Sequence, residues 1–408
     1  MKVVHLIQRF APAIGGCERW CEGVTRQLAA RGHSVEVLTL RVLDERELWA
    51  SDSPPQPPRE VAVGCTDIVS RIRIRRCAPS PSPYGLIRFA ERFGVRIAGR
   101  YSAELFGRAI AAARRADVLH LHQCNVPISF WGLMAARLTG RPAAITPHFH
   151  PGSPNFEQPA ASWLLRRCEV VIAVSPHEAL LFERRGVLAR RVVVTSNAID
   201  PTLFDQLATE PLRRQVRSFW RLDPQAPIIT FVGRKAPQKD IPVLVDAVAR
   251  LSRTRDATLV LAGPPWEPHQ GDGQMWNRAG LRLIVLPAIP ESSKRALIAA
   301  SDVVVQPSPH EAFGIVFLEA WAARVPVVGA SAGAIPQVVA DGGLTFRPGD
   351  AEDLATKLAW ILDHPGEAST MAARGRARLE REFTWERVGA AVEQAYAVAL
   401  GCERLGRS

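Results

Sequence analysis

The 408-residue chain lacks the marks of several large protein classes. No apolar run approaches the ~18 uninterrupted residues that a membrane-spanning helix needs. The opening MKVVHLIQRF is interrupted by Gln8 and Arg9 too early for a signal peptide, so a cytoplasmic protein is expected. Seven cysteines, at 17, 21, 65, 77, 124, 168 and 402, form no CxxC pair and no His-flanked zinc spacing. Cys17 and Cys21 lie four apart on an expected helix, a poor geometry for a disulfide, and all seven read as reduced thiols. The HExxH helix and the GxGxxG fingerprint are both missing, and no internal repeat is evident. No groove-reading motif or aromatic–basic signature accompanies the net charge of +11, so nucleic acid is not an expected partner.

What is present is ordinary for a globular protein of two domains, with 47% hydrophobic and 22% charged residues. The positive charge is uneven. Residues 1–205 hold 27 Lys/Arg against 18 Asp/Glu, and residues 206–408 hold 24 against 22. Such asymmetry suits an anionic partner for the first half, and an Arg-rich surface accounts for it equally well. Arg88, Arg92, Arg96 and Arg100 recur every fourth residue beside a stripe of Leu86, Phe89, Phe93 and Ile97. Two readings of this helix stay open: one lying on an anionic membrane surface, and a core helix with a solvated Arg face. Residues 51–60, SDSPPQPPRE, are expected to form an extended surface loop.

Strand and helix signals alternate along the chain. Val3–Ile7 reads as a buried strand, Gly15-Gly16 as a loop, 18–30 as a helix and Ser34–Thr39 as the next strand, which is how a parallel α/β sheet begins. Strands at 117–121 and 143–146 end in His120 and His122 and lead to His148 and His150. These four histidines have no supporting carboxylate spacing, and no metal is expected. Residues 206–226 are polar and Arg-rich, as a hinge would be. A second strand–loop–helix starts at Ile228, with Gly233, Arg234 and Lys239 in its loop and Asp240 as the expected helix N-cap. In SDVVVQPSPHEAFGIVFLEAWAAR (301–324), a buried strand and a turn lead into a helix opened by Gly314, with Glu311 before it and Glu319 within it. A helix N-terminus favours phosphate, and an ionised carboxylate accepts hydrogen bonds from sugar hydroxyls.

Glu311 and Glu319, in EAFGIVFLE, resemble the paired glutamates of the retaining GT-B glycosyltransferases, family 4 in particular. Gly233-Arg234 and Lys239 resemble the same family's GR…K motif, GGCERW (15–20) its GG-x-E-R segment, and Val170–Ser175 its IAVS strand. The 192–204 stretch resembles its PNGID…F element with Ser196 for the proline and Ala198 for the glycine. Ser331–Pro336 resembles its GG-x-PE loop with Ala334 for one glycine and Gln337 for the glutamate. Both replacements bring into question backbone conformations that only glycine adopts freely. No DxD metal motif occurs.

The resemblance implies an α/β protein of GT-B type, two Rossmann-like domains facing a central cleft. It implies an acceptor-binding domain at 1–205 completed by a returning helix within 384–408, and a nucleotide-sugar domain at 206–383. It implies transfer of a sugar from a UDP- or GDP-sugar to a hydroxyl acceptor, lipid-linked or polysaccharide, with retention and without a metal or other cofactor. Arg234 and Lys239 would hold the diphosphate, and Glu311 the donor sugar. Phe313, Gly314, Ile315 and Val316 would surround the donor, Glu319 would take the ribose, and His148 would orient the sugar. Gly15, Gly16 and His122 would line the acceptor or phosphate loop. A sugar-nucleotide epimerase of the same fold and a non-catalytic nucleotide-sugar-binding protein remain alternatives.

Overall fold

The computed structural model describes residues 1–13, 15–42, 66–69, 71–80, 99–149, 151–152, 156–207, 209–223, 225–265, 276–278 and 280–402. The chain divides into two compact units, Met1–Asn197 with Trp385–Ser408, and Ala198–Thr384. Among the described residues no helix is long and apolar enough to cross a membrane. Their six cysteines are free thiols.

The first unit is built on an eight-stranded sheet in the order β3-β4-β2-β1-β5-β6-β7-β8. Its strands are β1 (Lys2–Leu6), β2 (Ser34–Leu40), β3 (Thr66–Val69), β4 (Ile72–Cys77), β5 (Val118–His122), β6 (Ala143–Thr146), β7 (Val170–Ala173) and β8 (Val192–Val194). All described pairs are parallel except β3 with β4. Helices α1 (Gly16–Ala30), α2 (Ala103–Ala113), α3 (Pro127–Thr139), α4 (Pro159–Arg167) and α5 (Pro176–Arg184) connect them. β5, β6 and β7 are buried along their whole length, as strands covered on both faces must be, which is why they read as unbroken apolar runs. The histidines are the exceptions. In register, His5 of β1 lies beside His120 of β5, and His122 lies beside Thr146 of β6. Side chains two apart on a strand share a face, so the central strands gather these groups on one side of the sheet.

The second unit holds a six-stranded parallel sheet in the order β11-β10-β9-β12-β13-β14. The strands are β9 (Ile228–Val232), β10 (Thr258–Ala262), β11 (Arg282–Leu286), β12 (Val303–Gln306), β13 (Val327–Ala330) and β14 (Leu344–Phe346). The helices are α6 (Glu210–Phe219), α7 (Ile241–Leu251), α8 (Glu291–Ala300), α9 (Ile315–Ala322), α10 (Ile335–Val339), α11 (Ala351–Asp363) and α12 (Pro365–Glu382). The last helix, α13 (Trp385–Ala399), belongs to the first unit, where it packs on α1, β6, β7 and β8.

Two expectations need correction. Residues 206–226 are not a polar hinge but include α6, whose Arg213 and Arg217 both bind Asp302 at the start of β12. That carboxylate also accepts from the backbone N–H of Ile228 at 2.7 Å, so these arginines join the sheet's lower edge. Asp240 does not cap α7 with its side chain; it takes a left-handed backbone, φ 50°, and makes no capping bond. Arg88, Arg92 and Arg96 lie outside the described residues, and Arg100 is buried.

Candidate functional site

In a parallel sheet, ligands bind beyond the carboxyl ends of the strands where the strand order reverses. In the second unit that point lies between β9 and β12, which pair directly while β10 continues one way and β13 the other. Gly233, Arg234 and Lys239 follow β9, and Glu311 to Gly314 follow β12. The structure brings these expected residues together. Lys239 Nζ is ion-paired with Glu311 Oε1, and Gln306 Nε2 donates to the same oxygen at 3.0 Å. Ser308 Oγ donates to the Gln238 carbonyl at 3.0 Å, tying the two loops together. Glu311 is buried and Arg234 is exposed. Gly314 opens α9 at φ 89°, a conformation a side chain resists, and a Cβ there would meet the Phe317 ring at 2.7 Å. Phe313 and Val316 are buried, whereas Ile315 is half-buried.

Glu319 has a partner that sequence reasoning missed. Lys294 of α8 donates to its Oε1 at 2.5 Å and also pairs with Glu291 at 3.1 Å. A second missed lysine, Lys235, is almost completely buried. Its ammonium binds the carbonyls of Gly263 and Leu286, at the ends of β10 and β11, the latter at 2.8 Å. Burial pushes its pKa down to about 8. The effect is to clip the loop carrying Arg234 onto two neighbouring strand ends.

The altered loops prove compatible with their sequences. Ala334 has φ −82°, and neither Asn197 nor Ala198 takes a positive φ, so alanine fits where glycine was expected. Gly333 is the position that cannot change: φ is 59°, and a Cβ would stand 2.6 Å from the Glu311 carbonyl oxygen. Ala334 N donates to that same oxygen at 3.0 Å. Gly333→Ala is therefore expected to cost about 1–3 kcal/mol of stability, read as a lowered thermal midpoint, because the loop must retreat from Glu311.

In the first unit the order reverses between β1 and β5. Gly15 is extended, φ 173°, and Gly16 is the first residue of α1. The need for glycine at 15 is steric: a Cβ would lie 2.1 Å from Glu18 Oε2, because Glu18 folds back over the helix start to pair with Arg9 at 2.7 Å. His122 and His148 meet, Nδ1 to Nε2, at 3.3 Å. His148 has a left-handed backbone, φ 46°. The next residue's N–H, that of Phe149, donates to Glu178 Oε1 at 3.0 Å, and Val174 N donates to Oε2 at 2.6 Å. Glu178 thus ties the His148 segment to the end of β7. Trp20 stands edge-on to His120, His122 and His148. Tyr396 of α13 contacts His120 Nδ1 at 2.7 Å, so the returning helix supports the same cluster. His5, His120 and His122 could reach one ion, as could Cys17, His122 and His148. His150 lies outside the described residues.

Residues 213–378 match the family model of the glycosyl transferases group 1, and residues 15–198 match that of a glycosyl transferase 4-like domain. The phosphatidyl-myo-inositol mannosyltransferase of Propionibacterium freudenreichii subsp. shermanii is 32% identical, across 69% of this chain and 70% of its own. An MMP alpha-(1->4)-mannosyltransferase of Mycolicibacterium hassiacum is 26% identical across 98% of both chains. The solved sucrose-phosphate synthase of Thermosynechococcus elongatus has the same fold, with a TM-score of 0.75 at 22% identity over 98% of this chain and 100% of that one. The chain belongs to the group 1 glycosyltransferases of the family 4 type, enzymes of GT-B fold.

Proposed function

We propose that the protein transfers a sugar from a UDP- or GDP-sugar to a hydroxyl of a lipid-linked or polysaccharide acceptor, with retention of configuration and without a metal. The observation that carries this reading is the cluster at the second unit's strand-order reversal, where Lys239 pairs with the buried Glu311 ahead of the α9 N-terminus and Arg234 lies exposed in the same loop as Lys239. When the bond between the anomeric carbon and the diphosphate breaks, negative charge grows on the leaving phosphate. Preorganised cations and helix N–H groups are the groups that stabilise such charge, in place of a divalent ion. The acceptor oxygen forms the new bond, and its proton goes to the departing diphosphate.

Glu319 would accept from the ribose hydroxyls, held in place by Lys294. Glu311 would hold the donor sugar, with His148 orienting it. The basic first half and the likeness to a phosphatidyl-myo-inositol mannosyltransferase support a lipid-linked acceptor.

A screen of UDP-, GDP- and ADP-sugars over a panel of acceptors tests the proposal by nucleotide release. Release that depends on acceptor is expected with a UDP- or GDP-sugar. Conversion of the donor sugar with no nucleotide released would mark an epimerase, and saturable binding without turnover a non-catalytic binding protein.

A further inference from the structure

The histidines of the first unit are too buried and too closely joined to be explained by packing alone. His5, His120 and His122 are fully buried. Burial pushes the His5 imidazole down to about 3 and holds His120 and His122 well below the ordinary 6.5, so all three are neutral. A neutral imidazole has one N–H and one bare nitrogen, and a hydrogen bond at one fixes the role of the other.

Three of the rings form a chain. His5 Nδ1 faces His122 Nε2 at 2.9 Å, and His122 Nδ1 faces His148 Nε2 at 3.3 Å. In both pairs the ring centres are farther apart than the facing nitrogens by about the width of one ring, 5.2 Å against 2.9 Å and 5.6 Å against 3.3 Å. The planes differ by only 23° and 19°. Each nitrogen therefore points along the line of rings at the next. Imidazoles sharing a tetrahedral ion would instead converge on it at an angle. His120 stands aside, its two nitrogens engaged by Tyr396 Oη at 2.7 Å and Thr146 Oγ1 at 2.8 Å. This is the geometry of a hydrogen-bonded chain rather than of a metal cage.

The chain has a direction. Its inner end, His5 Nε2, is buried and finds no hydrogen-bond partner among the described residues. A buried orphan N–H is rarer than an orphan acceptor, so the His5 proton belongs on Nδ1, where His122 Nε2 accepts it. The Cys21 thiol also approaches His5 Nδ1, but at 3.8 Å it is the weaker partner. With Nε2 accepting, His122 carries its proton on Nδ1 and donates to His148 Nε2. His148, with Nε2 accepting, must in its neutral form carry its proton on Nδ1.

We propose that the His5–His122–His148 chain locks His148 in its Nδ1–H tautomer and so makes the ring a hydrogen-bond donor to a ligand oxygen at the first unit's strand-order reversal, not a base for a hydroxyl there. His5 and His122 are then positioning residues for His148. The tautomer follows from the chain itself; its use in catalysis rests on the transfer reading above.

Long-range proton–nitrogen correlation spectra of histidine-labelled protein test the tautomer directly, with the His148 signals assigned by their loss in His148→Gln. In the wild type, His148 should show a protonated Nδ1 and a bare Nε2. In His5→Phe, which keeps an aromatic ring but breaks the chain, it should become a mixture of tautomers. The same variant should lose about tenfold in kcat, within the ~10²-fold range that misplacing a reacting group can cost, with the donor KM changed less than twofold. The buried orphan passes from His5 Nε2 to His122 Nε2, which loses its donor, so the thermal midpoint should change little while kcat falls; a merely structural histidine would lose stability and activity together.

A wild-type His148 protonated on Nε2, or a tautomer and kcat unchanged in His5→Phe, would overturn the proposal, and the first of these does not depend on His5→Phe folding. Stoichiometric Zn²⁺ uptake that replaces both tautomer signals would also overturn it, in favour of a metal site. If the tautomer switches as expected but no donor supports transfer, the chain stands and the transfer reading fails.

Discussion

Lys239→Ala is expected to lower the rate of nucleotide release by about 10²–10³-fold, the loss typical of removing one group that stabilises a developing anion. The chain should stay folded, because Lys239 lies in a short turn after β9 and is not part of a core. The variant also removes the Lys239 ion pair from Glu311, whose same oxygen accepts from Gln306 at 3.0 Å. A partly buried carboxylate without its cation is destabilised, so a small fall in thermal midpoint should accompany the loss of activity. Because lysine and glutamate act as one unit, Lys239→Ala combined with Glu311→Ala should be scarcely less active than the worse of the two alone, where independent sites would add. Steady-state kinetics and thermal melts of the three variants check this. Activity of Lys239→Ala within tenfold of wild type would mean that the diphosphate is held elsewhere.

Glu178→Gln should be the most damaging isosteric change in the first unit. The carboxylate accepts two buried backbone N–H groups, those of Phe149 and Val174. An amide can accept only on its oxygen, so its nitrogen must face one of those donors, at a cost of about 1–3 kcal/mol for the orphaned group. Phe149 follows His148 directly, and its release would shift a ring whose placement the transfer reading requires, so turnover should fall with stability.

The pH dependence of this loss has a definite sign. Burial pushes the Glu178 carboxyl up to about 7 from its ordinary 4.5, outweighing the two N–H groups that pull it down. The folded protein therefore keeps a proton there that the unfolded chain gives up as pH rises from 4.5 to 7. This group's contribution to stability is full below that window and shrinks across it. Glutamine does not titrate, so the difference in thermal midpoint between wild type and Glu178→Gln should narrow between pH 5 and pH 7.5. Scanning calorimetry at the two values decides it: a gap that is constant or widens would contradict the assignment.

The residues proposed for the donor side were legible because they fall in short stretches at strand ends that resemble the motifs of a known family. Glu311, Gly314 and Glu319 fall within one strand–turn–helix, as Gly233, Arg234 and Lys239 fall within another, and it is the two together, in order, that carry the resemblance. Their supports were not legible. Lys294 lies on an amphipathic helix, where a lysine ordinarily reads as solvated, and only the fold carries it to Glu319, 25 residues on. Lys235 reads as a loop cation until the ends of β10 and β11 close over it. Glu178 sits in the first turn of α5, where an acidic residue is expected for the helix dipole alone. His5 reads as a stray polar residue in a buried strand, and its meaning comes from strand register with β5, more than a hundred residues away.

The alternation of strand and helix along the chain follows from hydrophobic periodicity, and it announced the parallel sheets. Strand order did not follow from it, and neither did the antiparallel edge strand β3, because pairing between distant segments leaves no local mark. Asp240 shows the opposite failure. Asp before an apolar helix is a strong capping signal, yet its left-handed backbone turns the side chain away from the helix N–H groups. The glycines replaced at 198 and 334 mislead in a similar way. Glycine allows a positive φ but does not require one, and Ala334 occupies an ordinary helical φ of −82°.

The most direct measurement is the anomeric configuration of the product made from an α-linked UDP- or GDP-sugar, read by proton NMR alongside the nucleotide released. Transfer as proposed gives an α-linked glycoside with one nucleoside diphosphate freed per bond formed. A β-linked product, or an altered sugar still attached to its nucleotide, would contradict it.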